Sequence, residues 1–202
     1  WLNLATNLGR VASELLNSAP NTVTVTARGE LSTESVDALG LAGLRGVFSG
    51  VIDEQVTFVN APQIAEERGV ELDVKTQDES VSHRSILEVQ VVAADGTTAT
   101  VAGALTGLEH VEKIVRINHR GLDLRATGTN LFLVYPDQPG ALGKVGTLLG
   151  GKGINIDAAA LSPTNDESQA TLVLRVAQDL DQELVDEVKA ELSASNAFVL
   201  NF

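Results

Sequence analysis

The sequence predicts a mixed α/β (α+β) chain of two domains, on three observations. Residues 129–202 run strand, helix, strand, strand, helix, strand, the βαββαβ order of a split ferredoxin-like motif. Upstream, the Thr and Val alternation of Thr22 to Ala27 reads as a half-buried strand, and Asp95-Gly96 between apolar runs reads as a hairpin turn. Thr127-Gly128-Thr129 separates the two patterns and marks the boundary.

Taken in order, Leu4, Leu8, Val11 and Leu15 form a helical stripe that runs to about Leu16 and stops at Asn17-Ser18-Ala19-Pro20. Residues 1–20 are expected to be a linker or the tail of a preceding domain. Arg28-Gly29 turns the first strand. Ser32 or Thr33 is placed to cap a helix carrying Val36, Leu39, Leu44, Val47, Phe48 and Val51 on one face. Val56 to Val59 reads as a short extended piece, and Asn60 as the cap of a helix from Ala61 to Arg68 with Pro62 in its first turn. Strands follow at 70–75, 84–93, 97–105, 111–117 and 122–126, so 21–127 form an α/β unit. In the remainder, strands are expected at 130–135, 154–161, 170–177 and 197–202, with helices at 140–150 and 182–192. Leu142, Val145, Leu148 and Leu149 give the first of these helices an apolar face, and Leu184, Val188 and Leu192 give one to the second. Both helices should cover one face of an antiparallel sheet.

With 44% apolar residues and five Pro in 202 residues, the chain should fold throughout. No apolar run approaches the roughly 20 residues that a membrane helix needs, and no signal-peptide pattern opens the chain. Membrane insertion is not expected, and the absence of Cys points to a reducing cytoplasm. Without Cys there is no disulfide, thiolate metal site or iron–sulfur cluster, and three scattered His make no metal set. A net charge of −13 argues against nucleic-acid partners, whose binding rests on basic residues. The chain opens at Trp1 rather than Met, which suggests a piece of a longer protein.

No catalytic constellation stands out: His83, His110 and His119 are isolated, and Asp53-Glu54 reads as a solvated turn. Gly146 to Gly153 nearly spells a phosphate-binding loop, but Gly153 stands where Ser or Thr is required. Gly40, Gly43 and Gly46 have the wrong spacing for a dinucleotide fingerprint and follow no strand. No NAD or other cofactor site is therefore expected in this segment.

The stretch from Tyr135 to Ile156, YPDQPGALGKVGTLLGGKGINI, points to ligand chemistry. Asp-x-Pro-Gly ends a strand and opens a helix, whose unpaired N–H groups suit a carboxylate. Gly140 lets a ligand approach the backbone, Asp137 can take an ammonium group, and Asn155 adds a donor and an acceptor. This is amino-acid-binding chemistry. Against it stand local explanations: Asp137 as an acid favoured at a helix N-terminus, Asn155 as a turn residue and Tyr135 as a strand-end aromatic.

With Asp137-x-Pro-Gly and Gly153-x-Asn155-Ile in that element order, residues 129–202 resemble an ACT domain, the amino-acid-sensing module of many metabolic enzymes. RGEL (28–31), GLRGVFS (43–49), VTFVNAPQIAEERG (56–69), HRS (83–85), KIVRIN (113–118) and GLDLRATG (121–128) resemble the C-terminal extension of long-form bacterial D-3-phosphoglycerate dehydrogenases. The resemblance implies an intervening, allosteric-substrate-binding domain at 21–127 and an ACT domain at 129–202. It further implies NAD-dependent catalysis in a missing N-terminal part, L-serine synthesis as the pathway, and feedback inhibition by L-serine bound at a side-by-side dimer interface. Tyr135, Asp137, Gly140 and Asn155 match the effector positions. Lys113, Arg120, Arg125 and Arg175 match positions that hold a phosphate-bearing small molecule in relatives. The family carries a His directly after the Arg matched by Arg120; this chain has Gly121 there and His119 before it.

The stretch 113–125 sets Lys113, Arg116, Arg120 and Arg125 against Asp123 alone, and Arg175 interrupts an apolar strand. An anion site and ordinary surface ion pairs both account for such residues. A ligand-independent oligomerisation module, and an ACT sensor for another small amino acid, are the alternatives to serine regulation. L-serine dehydratases share a part of this pattern, but their iron–sulfur chemistry requires the Cys that this chain lacks.

Overall fold

The computed structural model describes residues 1–52, 54–162 and 169–202, and its contacts divide it into two units, 1–119 and 120–202. Asp53, half of the expected solvated turn, lies outside the described residues, while Glu54 is exposed in a bend.

The first unit opens with α1 (Leu2–Leu16), which is no linker. Leu4, Leu8 and Val11 are fully buried, because an apolar stripe of that width holds a helix in water only when it is covered. Asn17 then ends the helix in the left-handed conformation, φ 52°. β1 (Pro20–Gly29) follows, then a 3-10 turn at Glu30–Thr33 and α2 (Asp37–Ser49). Ser32 and Thr33 sit inside that turn, where Thr33 Oγ1 donates to the Glu30 carbonyl at 2.9 Å, so Val36 takes the cap position instead. Val56 to Val59 is not extended: the Thr57 N–H donates to Asn60 Oδ1 at 2.6 Å, folding a turn ahead of α3 (Ala61–Glu67).

β2 (Glu71–Gln77), β3 (Ser85–Ala93), β4 (Thr98–Thr106) and β5 (Val111–Ile117) complete the unit in the order β2-β1-β3-β4-β5. The β1–β2 pair is parallel, with α2 and α3 in its crossover, and the other pairs are antiparallel. α1 and α2 cover one face, meeting Val25, Leu87, Val89 and Val101. They cross at backbone contact. A Cβ at Gly9 would collide with the Gly43 carbonyl oxygen, and one at Gly46 with the Thr6 carbonyl oxygen.

The second unit contains β6 (Arg120–Arg125), β7 (Thr129–Pro136), α4 (Ala141–Gly151), β8 (Ile156–Ser162), β9 (Gln169–Val176), α5 (Gln182–Glu191) and β10 (Asn196–Asn201). The division falls at His119/Arg120, ahead of the Thr127–Thr129 boundary read from composition, because β6 packs near β8. The last four strands form an antiparallel sheet in the order β10-β7-β9-β8, the arrangement that βαββαβ connectivity dictates. Leu131, Leu133, Leu172 and Leu174 pack against Val145 and Leu149 of α4 and Leu184 and Val188 of α5. Leu142, expected on the apolar face of α4, is 47% exposed, and Ala141 takes the buried place. Asp181 caps α5, accepting from the Leu184 N–H at 2.8 Å. On the opposite sheet face Phe132 stacks on Phe198 with centroids 4.8 Å apart. No helix among the described residues is long and apolar enough to cross a membrane.

Gly46→Ala should therefore lower the stability of the first unit by roughly 1–3 kcal/mol or more in urea unfolding, because backbone rather than a side chain must move. Gly143→Ala in α4, where an added Cβ meets nothing within 4 Å, should instead be neutral or stabilising by up to about 1 kcal/mol.

Candidate functional site

β7 delivers the chain to Pro136, and a short loop carries Asp137 to Gly140 before α4 begins. Gly140 holds φ 86°, a left-handed conformation that a residue with a Cβ adopts only under strain, and nothing lies within 4 Å of where that Cβ would be. The space above it is open to a ligand. The Lys144 N–H donates to the Gly140 carbonyl at 3.0 Å and closes the first turn. The N–H groups of Ala141, Leu142 and Gly143 are left without intrahelical acceptors, the partial positive charge that a carboxylate seeks. Gln138 Nε2 reaches the Leu192 carbonyl at 3.4 Å and ties this loop to the end of α5, while Asp137 is exposed.

Asn155 does not join this loop within one chain. Tyr135 pairs with Ala170 at the start of β9, whereas Ile156 pairs with Val176 at its end. Ala170 to Val176 is a run of strand about 20 Å long at roughly 3.4 Å per residue, so Asn155 and the Asp137 loop sit at opposite ends of the sheet. The sequence spacing that suggested one pocket is the length of α4 plus a turn, and it returns the chain to the far end. There the Asn155 carbonyl accepts from the Ala177 N–H at 3.1 Å, and its amide donates to Asp157 at 2.9 Å.

Tyr135 is 2% exposed and belongs to the core that α4 and α5 cover, so its ring is packed in that core rather than offered to solvent. Burial, and then the Asp137 carboxylate, push its phenol above the ordinary value near 10.

The basic positions divide between the units. Lys113 lies on β5 of the first. In the second, Arg120 Nη1 donates to the Gln169 backbone carbonyl, and Arg120 and Arg125 project from opposite faces of β6 because their spacing is odd. Arg175 is half-buried on the β9 face opposite the core, with its stem against Gly128 (3.6 Å to a Cβ placed there), and makes no ion pair with a described residue. The four are therefore not one preformed cluster within either unit. His119 stands in the turn before Arg120.

One constellation was not read from the sequence. Glu88 Oε1 accepts from Arg28 Nη2 at 3.1 Å and Oε2 accepts from Arg116 Nη2 at 2.5 Å, beside a cavity of about 330 Å³ in the first unit. The available signal was a charge on each of three β-strands: Arg28 and Glu88 alternate with the core residues of β1 and β3 and so face away from the helices, and Arg116 precedes core Ile117 on β5.

Tyr135 is the only Tyr in the chain, so absorbance at alkaline pH reads it directly. Its midpoint should lie above 10, and Asp137→Asn should lower it only in part, since burial is the larger cause. The folded state holds this proton longer than the unfolded chain does. The corresponding stabilisation is complete below the unfolded-chain value and lost as pH rises through the folded one. A midpoint at or below 10 contradicts the placement of the ring.

Residues 1–118 match the D-3-phosphoglycerate dehydrogenase intervening domain, and residues 129–193 match the ACT domain. The first match includes α1. The chain is 47% identical over 201 residues to D-3-phosphoglycerate dehydrogenase of Mycobacterium leprae, covering 100% of this chain and 38% of that protein. It is 48% identical over 195 residues to the Mycobacterium tuberculosis enzyme, covering 96% and 36%. Against the Archaeoglobus fulgidus enzyme identity is 32% over 168 residues, covering 83% and 31%. The chain thus spans about a third of the length of these relatives. With both units accounted for by matched residues, the chain belongs to the family of the D-3-phosphoglycerate dehydrogenase intervening domain, joined here to an ACT domain.

Proposed function

We propose that this chain is the regulatory portion of a cytoplasmic NAD-dependent D-3-phosphoglycerate dehydrogenase, and that its ACT domain binds L-serine at a site completed by a second copy of the chain. NAD binding and catalysis belong to the part of the parent enzyme that this chain does not span. The observation that carries the reading is the separation of Asp137 from Asn155 by the length of the sheet. β8 is one of the two terminal strands in hydrogen-bonding order, with β6 packed near it but not hydrogen-bonded to it, and its exposed positions, Asp157, Ala159 and Leu161, carry a single charge. Such an edge is sparsely guarded against pairing. Its end, where Ser162 faces Thr171, lies at the Asp137 end of the sheet. Antiparallel pairing of two β8 edges sets the start of one strand against the end of the other, and so brings Asn155 of the second copy to this Asp137 loop.

In that site the serine carboxylate lies on the free N–H groups of α4, Asp137 takes the ammonium, and Asn155 of the second copy supplies an amide to the carboxylate or hydroxyl. Serine then favours the paired arrangement, and a tenfold preference for it is worth about 1.4 kcal/mol of coupling. Affinity and assembly depend on each other. A phosphate-bearing anion is the second proposed effector, and the half-buried Arg175 without an ion pair to a described residue supports it.

A second reading, pairing without a ligand, is favoured by the Asn155 amide already being satisfied by Asp157. Calorimetric titration with L-serine, beside D-serine and with mass read by light scattering, separates the two. Asp137→Ala and Asn155→Ala should each weaken binding tenfold or more. Mixing the two variants should restore up to one intact site per mixed dimer, because each chain supplies what the other lacks. A stable dimer that binds no serine supports the second reading, and single-variant losses that mixing never rescues contradict the shared site.

A further inference from the structure

The first unit's sheet has a polar face opposite α1 and α2. β3 gives Leu87, Val89 and Val91 to the core, which turns Glu88 and Gln90 outward. Pairing sets Thr26, Glu88, Ala102 and Arg116 in one row across four strands, with Gln90 opposite Thr100. A register shift between Ala102 and Gly103 puts Arg116 in that row: Ile114 opposes Gly103 and Arg116 opposes Ala102. The bulge keeps Ile114 and Ile117 in the core while Arg116 joins Glu88.

Above this row opens the cavity of about 330 Å³, room for several heavy atoms at roughly 30 Å³ per displaced water. Both Glu88 oxygens are engaged by guanidiniums, and Arg28 Nη1 also donates to Gln77. Donors remain in excess. Arg116 spends one N–H on Glu88, and the rest reach no described acceptor. Arg28 Nε and Ser80 Oγ are two of the three buried side-chain polar atoms without a partner among the described residues, and Arg28 lines the cavity together with Glu79 and Val81, the neighbours of Ser80. His119 stands at the rim, fixed by backbone. Asn118 and His119 hold φ 45° and 70°, and Asn118 bonds both backbone groups of Thr100, its Oδ1 accepting and its N–H donating, each at 2.8 Å. Glu79, the other carboxylate bordering the cavity, disfavours a bulky polyanion.

We propose that this cavity binds a small oxyanion, a carboxylate or a phosphate, held by Arg116 and His119, with Glu88 as the fixed counter-charge that aligns both guanidiniums. Bridging by Glu88 locks each planar fork, so the unused edge of Arg116 is presented without further ordering. The site lies wholly in the first unit and shares no residue with the group Lys113, Arg120, Arg125 and Arg175, nor with the serine loop, so it stands or falls independently of the proposed effector site.

The test follows the imidazole resonances of the whole chain by NMR during separate titrations with inorganic phosphate and with malonate, against sodium chloride at matched ionic strength. His119→Asn identifies the resonance and keeps the turn, since Asn tolerates positive φ. A saturable shift of His119, absent from His83 and His110, is expected with at least one probe. Response to phosphate alone assigns a phosphate ligand, and response to malonate alone a carboxylate. Arg116→Lys keeps a charge beside Glu88 but loses the fork, and should weaken binding tenfold or more. If that variant fails to fold, phosphate or malonate calorimetry on His119→Asn, weakened at least threefold, carries the same conclusion. Arg175→Gln should leave affinity here unchanged. No saturable His119 shift, an equal response to chloride, or loss on Arg175→Gln without loss on Arg116→Lys overturns the proposal.

Discussion

Backbone contact between α1 and α2 is the constraint on which the first unit rests. Gly9 and Gly46 let each helix meet a carbonyl of the other, at a separation that no side chain permits, and both helices can then press on the same sheet face. Dispersion contacts and apolar burial fall away steeply with a gap, so a pair held further apart would leave Val25 and Val89 incompletely covered. The polar outer face follows from this inner one. Once Leu87 and Val89 are committed to the helices, the pleat leaves Glu88 and Gln90 no other direction, and Arg28 and Arg116 neutralise the charge that results.

In the second unit, connectivity itself decides where function can lie. A helix between β7 and β8 returns the chain to the sheet's opposite end, so loop and Asn155 are parted by the same topology that makes the core. A ligand needing both must recruit another chain. Under the proposed function, regulation through assembly follows from strand order, and the glycine at 140 contributes by opening backbone N–H groups where a side chain would be strained.

Much of this was legible in the sequence because periodicity reports burial. β5 falls on the residues expected, the Asp95-Gly96 turn stands between β3 and β4, and the βαββαβ order is reproduced. The α1 stripe predicts the helix but not its place in the first unit, since an apolar stripe states that a face is covered but not by what. Tyr135 alternates like a core residue, and its link to a ligand rests on its match to the family's effector positions. Register is what a single sequence hides. The bulge that puts Arg116 beside Glu88, the crossing of β6 by Arg120 and Arg125, and the distance from Asp137 to Asn155 all depend on which residues face each other across strands.

The most direct measurement of the central claim is hydrogen exchange of the whole chain with and without L-serine, resolved by segment. Serine should slow exchange in three places at once: the N–H groups opening α4 at 141–143, the turn at 154–157, and the edge strand β8, with α1 and α2 unchanged. Slowing at 141–143 with β8 and 154–157 untouched would place the ligand within one chain. Slowing confined to the first unit would remove serine from the ACT domain altogether.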